Sequence, residues 1–93
     1  MKLLTQYRKN GFDFTLLKRI GDIALFLGVK DSCKYANWEV IEIQSHNGRE
    51  IGGKYYEPAE YPPSDNQWGA KGWTFTRSEP ALARMDALTG GQI

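Results

Sequence analysis

Hydrophobicity between residues 14 and 29 alternates with a period of two on either side of Gly21-Asp22, and no other feature constrains the fold as tightly. Phe14, Leu16, Lys18 and Ile20 alternate before the pair, and Ile23, Leu25, Leu27 and Val29 after it. A two-residue hairpin turn of type I′ or II′ needs positive φ, which Gly followed by Asp supplies. The pattern predicts the pairs Ile20 with Ile23, Lys18 with Leu25, Leu16 with Leu27 and Phe14 with Val29. Leu17 then faces Phe26, and Arg19 faces Ala24, on the other side. Apolar residues on both faces near the hairpin base predict a sheet covered on both sides or a partly closed barrel. Gly21 and Gly28 interrupt any helical reading.

Other strand signals surround this hairpin. Asn10-Gly11 suits a hairpin between residues 3–9 and 12–20 that sets Arg8 opposite Asp13, with a frayed N-terminus as the alternative. Residues 37–45 alternate, with a slip between Val40 and Ile41 that implies a bulge or burial on two sides. Asn47-Gly48 predicts a second turn, with Glu50 to Tyr56 as its return strand, weakened by Gly52-Gly53. Pro58, Pro62 and Pro63 exclude a central strand from residues 57–72. Ser64 to Gln67 fits a capping box over one short helical turn ended by Gly69. Trp73 to Thr76 reads as a last strand. Ser78 is expected to cap a helix with Pro80 in its first turn, an apolar stripe of Ala81, Leu82, Met85 and Leu88, outward-facing Arg84 and Asp86, and a stop at Gly90-Gly91. The expected fold class is α+β: one domain over residues 1–93, with a mostly antiparallel sheet of four to five strands built from hairpins and one C-terminal helix packed on it.

Composition then narrows the function. Lys plus Arg is 12 and Asp plus Glu is 11, a formal net charge of +1, which argues against a histone-like tail or an acidic disordered activator. The single cysteine, Cys33, excludes an internal disulfide and any multi-cysteine metal site. A small domain without disulfides is expected in a reducing compartment, the cytoplasm. The start Met1-Lys2-Leu3-Leu4 turns polar at Thr5-Gln6, without the apolar core of a signal peptide. The longest apolar run, Ile23 to Val29, is far short of the ~20 residues of a membrane helix.

Several constellations approach a catalytic or ligand motif and miss it. Gly48 to Lys54 matches G-x-x-x-x-G-K, but Tyr55 stands where a phosphate loop needs Ser or Thr, and Tyr56-Glu57-Pro58 cannot open the helix that loop requires. His46 is the only histidine, and with Cys33 and carboxylates it makes no recognised zinc spacing. A Cys33–His46 nucleophilic pair competes with the simpler reading of a surface thiol among charged neighbours. Glu39 with Glu42, and Glu57 with Glu60, have odd spacings that face opposite ways on a strand, which suits a solvated face better than acid–base work. The expectation is therefore no enzyme, no cofactor and no metal.

The aromatic residues carry more information. Tyr55, Tyr56, Tyr61, Trp68 and Trp73 lie close together in a stretch rich in Pro and Gly. Three readings stay open: core filling, a protein interface, or a single-strand nucleic-acid platform with Lys54, Lys71 and Arg77 reaching phosphates. The candidate binding set is Tyr55, Tyr56, Tyr61, Trp68, Lys71 and Trp73. Charge is blocked as well, at +4 over residues 1–34, −4 over 35–65 and +1 over 66–93. Either the blocks neutralise each other side by side or they leave a two-signed surface for a partner.

The phrases Gly21-Asp22-Ile23-Ala24-Leu25-Phe26, Trp38-Glu39-Val40-Ile41-Glu42-Ile43 and Trp68-Gly69-Ala70-Lys71-Gly72-Trp73-Thr74-Phe75 resemble small uncharacterised accessory proteins encoded by phages and prophages. The resemblance covers roughly residues 14–77 and carries no functional residues. It implies a non-catalytic protein of the host cytoplasm that binds and inhibits a host protein, as anti-CRISPR or anti-restriction proteins do. A single-stranded nucleic-acid-binding module is the alternative. No membrane partner is expected, and an open sheet edge allows a homodimer.

Overall fold

A computed structural model describes residues 2–30 and 36–91. Five antiparallel strands form the main sheet: β1 (Gln6–Lys9), β2 (Phe12–Ile20), β3 (Ile23–Val29), β4 (Ala36–Glu42) and, from later in the chain, β9 (Gly72–Phe75), in the order β1-β2-β3-β4-β9. Between β4 and β9 the chain leaves the sheet through β5 (Gln44–His46), β6 (Arg49–Ile51), β7 (Lys54–Tyr56) and β8 (Ala59–Tyr61). Helix α1 (Ser78–Thr89) follows β9 and packs on β3, β4 and β9. The α+β architecture expected from the patterning is the one observed.

The first hairpin forms as its turn residues predict. Asn10 and Gly11 both take positive φ, at 54° and 82°, and Arg8 lies opposite Asp13 with a 2.8 Å ion pair. In the second hairpin the predicted pairs Ile20–Ile23, Arg19–Ala24 and Lys18–Leu25 are present. Beyond them the register shifts between Leu16 and Lys18, so Leu16 pairs with Phe26 and Phe14 with Gly28. The extra residue is Leu17, which is left 53% exposed. This bulge corrects the expected pairs of Leu16 with Leu27 and Phe14 with Val29, and it moves Phe14 to the opposite face. Gly28 makes that possible, because a Cβ there would collide with the Phe14 ring.

Each face of the sheet carries its own core. On one, Leu25 and Val40 pack against Ala81 and Met85 of α1, with Ile20, Ile23, Trp38, Trp73 and Phe75 around them. On the other, Phe14, Ala24, Phe26 and Ile41 are joined by Leu4 and Ile43 from the connecting segments, with Tyr7, Leu16 and Trp68 packed alongside. The slip at Val40-Ile41 is therefore burial on two sides, since both residues are fully buried in different cores. The helix stripe is narrower than predicted. Ala81 and Met85 are buried, whereas Leu82 and Leu88 are 40% and 37% exposed, because a short helix on a twisted sheet presents one line of residues to it. Ser78 is the first helical residue and Arg77 occupies the cap position without a side-chain bond, so the predicted Ser78 cap is not formed. Gly90 ends the helix with φ 67°, as its position predicts.

Candidate functional site: a projecting two-stranded arm

Residues 44–61 form a two-stranded arm. Gln44 pairs with Tyr61, Ser45 with Glu60 and His46 with Ala59; further out, Arg49 pairs with Tyr56, Glu50 with Tyr55 and Ile51 with Lys54. All six pairs share one register, so the arm is a single ribbon interrupted where Asn47-Gly48 faces Glu57-Pro58. Pro58 has no N–H to donate to a ladder, which accounts for the interruption. The turn lies at the tip, at Gly52 and Gly53, with φ 59° and 80°. The expectation that Asn47-Gly48 would close this hairpin is thus corrected. Two successive glycines meet the positive-φ requirement of a tight turn at no steric cost. Gly48 instead sits under the Tyr55 hydroxyl, where a Cβ would come within 2.5 Å of the oxygen.

The arm leans on almost nothing. Every residue of β6 and β7 is exposed, including Ile51 at 57% and Tyr55 at 61%. Among the described residues these two strands make substantial contact only with each other. The base, by contrast, is anchored. Arg19 on β2 donates to both carboxylate oxygens of Glu60, at 2.6 and 2.8 Å, and the Leu4 N–H donates to the same carboxylate at 2.9 Å. The paired guanidinium holds the Glu60 carboxyl at about 2, well below its ordinary value of 4.5.

The alternation of side chains gives the outer arm two unlike faces. Arg49, Ile51, Lys54 and Tyr56 share one face, and Glu50 and Tyr55 share the other. Where the ladder breaks, His46 and Tyr61 of the base meet Arg49, Ile51 and Tyr56 of the first face, and these five residues line an open groove of about 310 Å³. The His46 and Tyr61 rings lie 6.0 Å apart, and the Gly48 N–H donates to His46 Nδ1 at 3.2 Å, which leaves the ring proton on Nε2.

The predicted binding set is not one surface. Tyr55, Tyr56 and Tyr61 are on the arm and exposed. Trp68 and Trp73 are half-buried on opposite faces of the main sheet, Trp68 against the Phe14–Phe26 core and Trp73 against the core beneath α1. Lys71 lies in the turn before β9, where its carbonyl accepts the Glu42 N–H at 2.8 Å. Arg49, Ile51 and His46 belong with the tyrosines and were not in the predicted set. The period-two pattern of Arg49 to Tyr56 about Gly52-Gly53 is the signal that would have found the first two.

Glu39, read as part of a solvated strand face, is 2% exposed. It accepts hydrogen bonds from the Tyr7 hydroxyl at 2.5 Å, Lys9 Nζ at 3.2 Å and the Thr74 hydroxyl at 2.9 Å. Lys9 Nζ also sits 3.3 Å from the centroid of the Trp68 ring, and Trp68 Nε1 donates to Thr74. Tyr7 and Glu39 lie on strands three places apart, ~14 Å in a flat sheet. Their direct contact shows the sheet curling about this carboxylate. Burial and the adjacent carboxylate push the Tyr7 hydroxyl far above its ordinary pKa. Lys9–Glu39 and Arg19–Glu60 both join the basic first block to the acidic second, so these charges neutralise within the fold.

Among the described residues no group of three or more His, Cys, Asp or Glu is placed to hold a metal ion. The Cys33–His46 pairing lies outside the described residues, as does the Cys33 thiol itself. Among the described residues no helix is long and apolar enough to cross a membrane. No family model, no curated protein and no solved structure matches this chain.

Proposed function

We propose that this chain is a non-catalytic binding protein that docks on a larger protein through the outer arm, residues 49–56, and inhibits it by occupying that surface. One observation carries the reading: Ile51, Tyr55 and Tyr56 stand in solvent on a projection that the core does not use. Tyr and apolar side chains that bury nothing in the free chain are the usual anchors of an interface, since a ring brings much area at little entropy cost. The anchored base supports the same reading, because a ribbon held at Glu60 meets a partner with less ordering left to lose. The phage-accessory resemblance suggests the source of the partner, a protein of the host cytoplasm, with restriction and CRISPR machinery as first candidates.

Affinity capture from host lysate tests this with wild type, Tyr55→Ser and Tyr56→Ser compared at equal loading. The reading expects a defined protein recovered by wild type and depleted at least tenfold by the variants. Equal recovery by folded variants would remove the arm from the interface, and recovery of nucleic acid instead would favour the single-strand binding alternative.

A further inference from the structure

We infer that the groove on the arm takes an acidic peptide segment of the partner, a carboxylate side chain next to an apolar one; this rests on the docking role just proposed and specifies its chemistry. The groove offers donors and apolar surface and no acid. Arg49 contributes a guanidinium, His46 carries its proton on Nε2, Tyr56 and Tyr61 present ring faces and hydroxyls, and Ile51 supplies an aliphatic wall. Lys54 lies on the same face of the ribbon, its Nζ 5.5 Å from the centroid of the Tyr56 ring. Among the described residues neither Arg49 nor Lys54 has a carboxylate within ion-pair distance, although the chain has acids to spare in this segment. Glu50 points to the other face of the ribbon, and Glu60 is taken by Arg19. Two unneutralised cations beside an apolar wall fit a ligand with the opposite charge and an apolar side chain, and the guanidinium fork suits a carboxylate. A volume of about 310 Å³ is enough for one such side-chain pair.

A nucleic acid fits the same surface less well. A phosphate backbone senses charge over a Debye length of ~8 Å or more. Over residues 44–61 Arg49 and Lys54 are outnumbered by Glu50, Glu57 and Glu60. A peptide carboxylate seated in the groove meets the Arg49 guanidinium in its wall, with Lys54 on the same face of the ribbon and the Glu50 side chain on the far face.

Fluorescence anisotropy of the full chain tests the inference with three labelled probes: a short peptide centred on Glu-Leu-Asp, its Lys-Leu-Lys counterpart, and oligothymidylate. The acidic peptide is expected to bind at least tenfold more tightly than the basic one. Arg49→Glu should abolish that binding, Arg49→Ala should weaken it about tenfold, the value of one charge-assisted contact, and Glu79→Gln, on α1 away from the arm, should leave it unchanged. Circular dichroism of each variant checks folding, which the exposed tip does not control. Equal binding of the two peptides, no acidic-peptide binding up to about 1 mM, indifference to Arg49→Glu, or preferential binding of oligothymidylate would each overturn the inference. Protein capture that depends on Tyr55 and Tyr56 but not on Arg49 would overturn it while leaving arm docking intact.

Discussion

Arg19 and Glu60 lie 41 residues apart in sequence and form a two-point ion pair, at 2.6 and 2.8 Å, across the junction between sheet and arm. The Glu60 side chain is only 7% exposed there, and Arg19 also reaches Asp22 at 3.3 Å. The contact ties the projecting arm to the strand that organises the rest of the fold. Removing Arg19 leaves a buried carboxylate with only the Leu4 N–H, so Arg19→Leu is expected to cost about 2 kcal/mol in urea unfolding.

Acid should act through the same pair. The folded pKa of Glu60, about 2, lies below its ordinary 4.5, so the pair contributes fully above pH 4.5 and is lost as pH falls toward 2. Stability measured across that window should fall less steeply in Glu60→Gln than in wild type. Equal slopes would mean that Glu60 is not the group responsible.

Gly28 and Phe14 should behave as one unit. Because a Cβ at Gly28 collides with the Phe14 ring, Gly28→Ala is expected to destabilise by about 2 kcal/mol through overpacking. Phe14→Leu in the Gly28→Ala background should cost less than in wild type, giving a measurable coupling in a double-mutant cycle. Gly72→Ala should resemble Gly28→Ala, since its Cβ would come within 2.6 Å of the Trp68 ring.

The curl of the sheet depends on Glu39 keeping its cation. Lys9→Met retains the aliphatic stem and leaves the buried carboxylate with the Tyr7 and Thr74 hydroxyls but no cation, at an expected cost of about 3 kcal/mol. Trp68 emission should shift in the same variant while the protein is still folded, because Lys9 Nζ sits over that ring.

Truncation should separate the helix residues that the sheet buries from those it does not. Met85→Ala is expected to cost about 3 kcal/mol, and Leu82→Ala and Leu88→Ala each less than about 1 kcal/mol. Chemical denaturation of the three variants side by side checks the order.

Local turn chemistry and period-two patterning made most of the sheet legible from sequence. Asn10-Gly11 and Gly21-Asp22 sit at tight turns between alternating runs, and the pairs nearest each turn formed as those residues dictate. Legibility ended where a contact distant in sequence decided the outcome. The Leu17 bulge depends on the Phe14 ring finding space over Gly28, which alternation alone does not reveal. Asn47-Gly48 has the stronger turn signal, yet Gly52-Gly53 makes the turn, and in the resulting register Ser45 pairs with Glu60, whose carboxylate meets Arg19. The candidate site was half legible. Proximity in sequence grouped Trp68 and Trp73 with the tyrosines, but residues on opposite faces of a strand or its approach enter different cores. What separates the tyrosines from the tryptophans is the arm, and the arm is visible only once Ser45–Glu60 and Glu50–Tyr55 are seen to share a register.

Amide hydrogen exchange, measured on the free chain and again on its complex with the captured partner, tests arm docking most directly. The account predicts fast exchange at residues 49–56 in the free chain and marked slowing there in the complex, with little change in β2, β3 and β4. Unchanged exchange along the arm, with new protection on the main sheet or on α1, would contradict it.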